Sequence, residues 1–128
     1  MNRFIIDSFA WIEYLLGTER GVYVKNIVED NNNEIFTHIL SLAEISSRLS
    51  RSGIDSSESI KNILSISKIF NINNNISIRA GQLHSEIRKK IKDFGLVDAF
   101  ILLSAKDIKI KVLTGDEHFK NFKEADLI

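Results

Sequence analysis

The chain has no cysteine and no proline among its 128 residues. Without thiols, disulfide scaffolds and thiolate metal sites are excluded, so any metal must be held by oxygen or histidine ligands. An excess of either charge is also lacking, because 17 Lys and Arg face 17 Asp and Glu. A chain balanced in this way has no global attraction for nucleic acid or a membrane surface, and polyanion binding would have to come from a local patch. No apolar run is long enough to span a bilayer. The first apolar stretch carries Asp7 and Glu13 and reads poorly as a signal peptide, so a mature N-terminus and a cytoplasmic protein are expected. The absence of proline has no functional reading.

Common catalytic motifs are missing too. The 6 glycines form neither a P-loop nor a GxGxxG turn, and no nucleotide cofactor is expected. No serine occupies a GxSxG nucleophile turn. His38, His84 and His118 show no paired spacing for zinc, and HExxH is absent.

What is present is ordinary globular composition, 44% hydrophobic and 27% charged, at a length that suits one domain over residues 1–128. Arg3–Ile6 reads as a short strand, and Phe9, Ile12, Leu15 and Leu16 give Ser8–Leu16 helical spacing ended by Gly17. A helix over Gly21–Glu29 and a strand over Glu34–Phe36 follow. His38 to about Ser52 reads as a helix stopping at Gly53, and Asp55 or Ser56 begins another running towards Ile69. The polar clusters Asn31–Asn33 and Asn73–Asn75 read as turns. Ser77–Lys92 is a long helix, broken at Asp93–Gly95, and Leu96–Lys106 is apolar enough to be buried on most sides. Lys109–Thr114 is a strand, Gly115–Phe122 a loop or short helix, and Ala125–Ile128 a final strand. Short strands alternating with helices predict an α/β fold, with a parallel sheet in a three-layer arrangement.

In such a sheet, ligands gather beyond the carboxyl ends of the strands. Asp7 ends the first strand and Asp116 follows the Lys109–Thr114 strand, so the two converge on one rim if those strands are neighbours. Asp7 or Ser8 is equally suited to capping the next helix, and Asp116–Glu117 to a solvated turn. Asp98 heads the most apolar helix, where a carboxylate needs a partner, a hydrogen bond or a metal. Helix N–H groups offset part of that cost. Glu44 projects nearly opposite the stripe of Leu42, Ile45 and Leu49, which favours a solvated side chain. A set of acids chemically suits hard cations such as Mg²⁺ or Mn²⁺. Paired ions of this kind serve in-line displacement at phosphodiesters.

Four segments taken in order, IIDSFAWIEYLLG, SLAEISSR, GLVDAFILLSAK and VLTGDEHF, resemble the motifs of the PIN-domain ribonucleases. The small size is most similar to the VapC-type toxins of toxin–antitoxin pairs. The resemblance spans essentially the whole chain and implies a three-layer PIN-like fold: a short central parallel sheet flanked by helices. It also implies an endoribonuclease site dependent on Mg²⁺ or Mn²⁺. By position, Asp7, Glu44, Asp98 and Asp116 match the family's acidic quartet, with Glu117 a substitute for Asp116. Thr114 matches a supporting hydroxyl, and Ser8 follows the first aspartate as it often does in the family. The resemblance further implies RNA as substrate, a 5′-phosphate product, a homodimer, and inhibition by a small antitoxin whose tail enters the site.

An RNA substrate needs cations that the overall charge does not supply. Arg88 and Lys92 in the basic run before Asp98, and Arg48 one helical turn after Glu44, are the phosphate contacts expected. Lys89 and Lys90 suit a solvated helix C-terminus instead. Rival readings are a PIN nuclease of RNA processing without an antitoxin, and a non-catalytic RNA- or protein-binding module. A receiver-like phosphoacceptor would need an acidic pair where Asp7 is followed by Ser8, and a phosphatase of the haloacid dehalogenase type would need DxD.

Overall fold

A computed structural model describes residues 2–128. Its first strand, β1 (Arg3–Ile6), buries Ile5 and Ile6 completely on opposite faces of the sheet, as the period of two along a strand requires. Asp7 then turns the chain into α1 (Ser8–Leu16), which ends at Gly17 in the left-handed conformation, φ 68°, where a side chain would be strained. Thr18 caps α2 (Glu19–Val28) through its hydroxyl. Gly21 lets the two helices close: a Cβ there would collide with the Glu13 carbonyl.

After a turn at Asn31–Asn33, β2 (Glu34–His38) runs directly into α3 (Ile39–Arg51). The strand is longer than the sequence suggests, and His38 caps the helix by accepting from the Leu40 amide at Nδ1. The next helix, α4 (Ser57–Ile66), stops short of the expected Ile69, and Lys68–Phe70 forms an additional strand, β3. That segment has only two apolar residues, Ile69 and Phe70, and pairing with β2 makes it a strand. Asn73 caps α5 (Asn74–Arg88) through Oδ1, so Asn74 and Asn75 are helical rather than part of a turn. Burial of α6 (Leu96–Ile108) on most sides is as expected, and its end is marked by Lys109 at φ 57°. Then follow β4 (Lys111–Thr114), a single 3₁₀ turn (Glu117–Phe119) and β5 (Ala125–Leu127).

The five strands are all parallel, in the order β3-β2-β1-β4-β5. Ile6, Ile35 and Leu113 pack on one side against Trp11, Val24, Ile45, Leu49 and Ile63 of α1–α4. Ile5 and Val112 pack on the other against Ile101, Leu102 and Ala105 of α6, with Leu83 and Ile87 of α5 behind. Each fully buried aliphatic chain of this kind contributes about 1.5–3 kcal/mol. The result is the three-layer parallel α/β arrangement expected. Trp11 Nε1 donates to Thr37 Oγ1 at 3.0 Å, pinning α1 near the carboxyl end of β2. Among the described residues, no helix is long and apolar enough to cross a membrane.

The candidate metal centre

Successive strands from β1 step outward one way to β3, whereas β4 returns to the other side of β1. Between β1 and β4 the connections therefore diverge and leave a crevice at the carboxyl edge, the usual ligand position in such sheets. The register pairs Ile6 with Leu113, so the next residue on each strand, Asp7 and Thr114, meets at its floor. A cleft of about 510 Å³ opens there, lined by Asp7, Ser8, Phe9, Glu44, Arg48, Arg51, Asp98, Asp116 and Glu117 among others.

Asp7 is the deepest acid, 3% exposed. It caps α1 after all: its Oδ1 accepts from the Ala10 amide at 2.9 Å, while Oδ2 accepts from the Thr114 hydroxyl. Ser8 is the first helical residue and borders the cleft, but it is not the cap. Of the two residues suited to capping, Asp7 is the cap and Ser8 begins the helix. Burial pushes the Asp7 carboxyl up to about 7, and the charges of Asp98 and Asp116 add to the shift against the opposing effect of its two hydrogen bonds.

Asp98 stands in the first turn of α6, half-buried, with its carboxyl raised to about 6. Burial is the main cause, reinforced by Asp116 and Glu44; the Gly95 backbone and His118 act the other way. Asp116 lies on the turn after β4. Its amide donates to Thr114 Oγ1 at 2.9 Å, and its Oδ1 accepts from the His118 amide at 2.8 Å. Glu44 is exposed on α3, as periodicity indicates, yet the side of the helix it occupies is the cleft wall. Solvent exposure and a place among the acids are compatible because the cleft itself is open to water.

His118 is the residue the sequence reading passed over. One of its ring nitrogens and one carboxylate oxygen each from Asp98 and Asp116 lie within 4.8 Å of one another. Its Nδ1 is 3.0 Å from Asp116 Oδ1 and its Nε2 is 3.1 Å from Asp93 Oδ2. Burial lowers its pKa, but the two carboxylates outweigh that and leave it raised. The available signal was its place two residues after Asp116; a search for paired histidines does not find it. Arg51 was also missed, although it follows Arg48 by one turn and lines the same cleft. Arg88 and Lys92 are not among the lining residues, and Arg88 Nε is used in a 2.6 Å bond to the Lys92 carbonyl.

The donor set fits a divalent cation. Carboxylate oxygens with one imidazole are the ligands hard and borderline ions take. The acids also raise one another's pKa, a repulsion that a cation would relieve.

Known structures share this architecture. A toxin–antitoxin complex from Klebsiella pneumoniae contains a chain 20% identical, with 95% of this chain and 94% of that one covered at a TM-score of 0.73. VapBC2 from Rickettsia felis, bound to a DNA fragment from their promoter, matches at 18% identity, 98% and 97% coverage and a TM-score of 0.75. VapC20 from Mycobacterium tuberculosis, a sarcin–ricin loop cleaving toxin, matches at 14% identity, 84% and 85% coverage and a TM-score of 0.66. A search of curated proteins finds no significant match. These likenesses are to the fold. The family model of the PIN domain matches residues 4–125, from β1 into β5 with the acid cleft between them, and the chain belongs to the PIN-domain family.

Proposed function

We propose that the chain is a divalent-metal-dependent endoribonuclease, the toxin of a VapBC-type pair. The observation that carries this reading is the convergence of Asp7, Glu44, Asp98 and Asp116, drawn from four separate elements, on one cleft at the point where the sheet topology reverses. Structural likeness to chains of toxin–antitoxin complexes supports the toxin assignment and an antitoxin partner. Likeness to a toxin that cleaves the sarcin–ricin loop supports RNA as the substrate. A homodimer and a cytoplasmic site of action complete the reading.

In this reading Asp7, Asp98 and Asp116, with Glu44 at the rim, hold Mg²⁺ or Mn²⁺. When bound, the cation supplies Lewis acidity towards water and the scissile phosphate. Thr114 keeps Asp7 in a single orientation and favours its charged form. Arg48 and Arg51 stand on the α3 side of the cleft, where their guanidinium groups suit the phosphates flanking the cleaved bond. Placed charges of this kind are worth most where charge develops in the transition state. Hydrolysis leaves a 5′-phosphate.

The test is cleavage of RNA by the purified chain with Mg²⁺ or Mn²⁺, compared with Asp7→Asn and Asp98→Asn. Activity that needs the cation and disappears in both variants is expected. Undiminished metal-dependent cleavage in both would sink the site assignment, and no cleavage of any RNA by the wild type would sink the enzymatic reading.

A further inference from the structure

We infer that His118 is a metal ligand of this site, oriented for the task by Asp93, and that it biases the site towards Mn²⁺ over Mg²⁺. The inference rests on the metal-dependent reading above.

Geometry comes first. The 4.8 Å spread of the Asp98, Asp116 and His118 donor atoms lets them reach one ion at ligand distances of about 2.0–2.6 Å. The 3.0 Å between His118 Nδ1 and Asp116 Oδ1 matches the spacing of adjacent ligands on an octahedral ion at about 2.1 Å. The His118 amide also donates to Asp116 Oδ1 at 2.8 Å, which holds the two residues together.

The imidazole is also held from behind. Asp93, in the turn after α5, meets Nε2 at 3.1 Å with a side chain 79% exposed; His118 stands between it and the lining residue Asp116 at the edge of the cleft. As a surface ion pair that contact is worth little. As an acceptor for Nε2–H it selects the tautomer whose Nδ1 lone pair faces Asp116. A carboxylate behind a metal-binding histidine commonly does this and strengthens the imidazole as a donor.

The choice of ion follows from the donor. Mg²⁺ prefers oxygen and keeps its waters, whereas an imidazole nitrogen favours transition metals over Mg²⁺. A cleft built from carboxylates alone would discriminate weakly. One nitrogen ligand shifts the balance to Mn²⁺.

The experiment is calorimetric titration of the full chain, without RNA, with MnCl₂ and with MgCl₂. Wild type, His118→Ala and Asp93→Asn are compared. Loss of a ligand costs at least what loss of its supporting group does, so His118→Ala is expected to weaken Mn²⁺ binding about 10–100-fold while Mg²⁺ binding changes little. Asp93→Asn should move Mn²⁺ binding the same way by a smaller factor. Pulsed electron paramagnetic resonance on Mn²⁺-loaded wild type should show coupling to a directly bound nitrogen, a readout that holds even if a variant misfolds. An unchanged Mn²⁺/Mg²⁺ ratio in His118→Ala, or no nitrogen coupling in the wild type, overturns the inference and leaves the carboxylate site standing. Failure of the wild type to bind either ion overturns the metal-dependent reading together with it.

Discussion

Thr114 and Asp7, 107 positions apart in the sequence, are joined by a hydrogen bond from hydroxyl to carboxylate on the buried floor of the cleft. The same threonine oxygen accepts from the Asp116 amide. One side chain thereby fixes the orientation of the deepest acid and the turn that carries another. Four consequences of the site's construction are open to measurement.

Replacing Thr114 by Val keeps the shape and the strand preference but removes both bonds. A buried acceptor left without its donor costs about 1–3 kcal/mol, which urea denaturation at neutral pH should register. The bond also favours ionised Asp7, so the variant's acid limb of cleavage should move to higher pH. An unchanged denaturation midpoint would mean that the hydroxyl is not holding Asp7.

In the metal-free chain the raised carboxyls of Asp7 and Asp98 weaken the fold as pH rises, against the opposite effect of buried His38, whose pKa burial lowers to about 4. Asp7 moves from 3.8 to about 7 and Asp98 to about 6 on folding, so both bind protons more tightly folded than unfolded. Between pH 4 and 7 these two groups hold excess protons in the folded state, and their contribution to stability falls as pH rises through that window. Melting temperature should be lower at about pH 8 than at about pH 5, with a cost at the higher pH on the order of a few kcal/mol at most. Divalent cation should restore it, and Asp7→Asn should flatten the dependence. Metal-free protein that melts higher at the alkaline pH would contradict this account.

Gly115 separates Thr114 from Asp116, and a Cβ there would run into the ring of Phe9. That ring is 39% exposed at the cleft, with the Arg20 guanidinium 5.7 Å from its centroid. It is able to swing aside, so Gly115→Ala should cost about 1 kcal/mol of stability or less. The displaced ring alters the cleft wall, and kcat/KM should drop by up to about 100-fold, mainly through KM. A large loss of thermal stability with normal KM would reverse this assignment.

Arg48 and Arg51 should be separable from the other basic residues by salt. If each neutralises one RNA phosphate, Arg48→Ala or Arg51→Ala weakens binding and lowers the slope of log affinity against log salt by about 0.7 for a single strand. Arg88→Ala should leave the slope unchanged, because Arg88 does not line the cleft. Filter binding with the inactive Asp7→Asn chain measures all three.

Much of this arrangement is legible in the sequence because long-range burial and local pattern agree. The strand Arg3–Ile6 and the helix Ser8–Leu16 are read at their observed bounds. Lys68–Phe70 was not legible as a strand, since three residues carry too little periodicity and become extended only by lying beside β2. Glu44 could be placed by its sequence context but not by helical projection, which separates core from solvent and has no term for an open cleft. His118 and Arg51 escaped for a related reason. Their place depends on how the turn after β4 and the end of α3 approach each other across the sheet edge, a relation with no period in the chain.

The joining of first strand to fourth has a consequence for the timing of synthesis. A nascent chain that extends only through Asp98 already contains three of the four acids, yet its β1 still lacks the neighbour that buries Asp7 against Thr114. Chains emerge N-terminus first, and such distant pairings are closed late. The cleft therefore cannot form before β4 and the turn after it are present. A chain cut short before Thr114 would carry three of the acids without the floor that gathers them, so a truncated product would lack the cleft proposed to cut RNA.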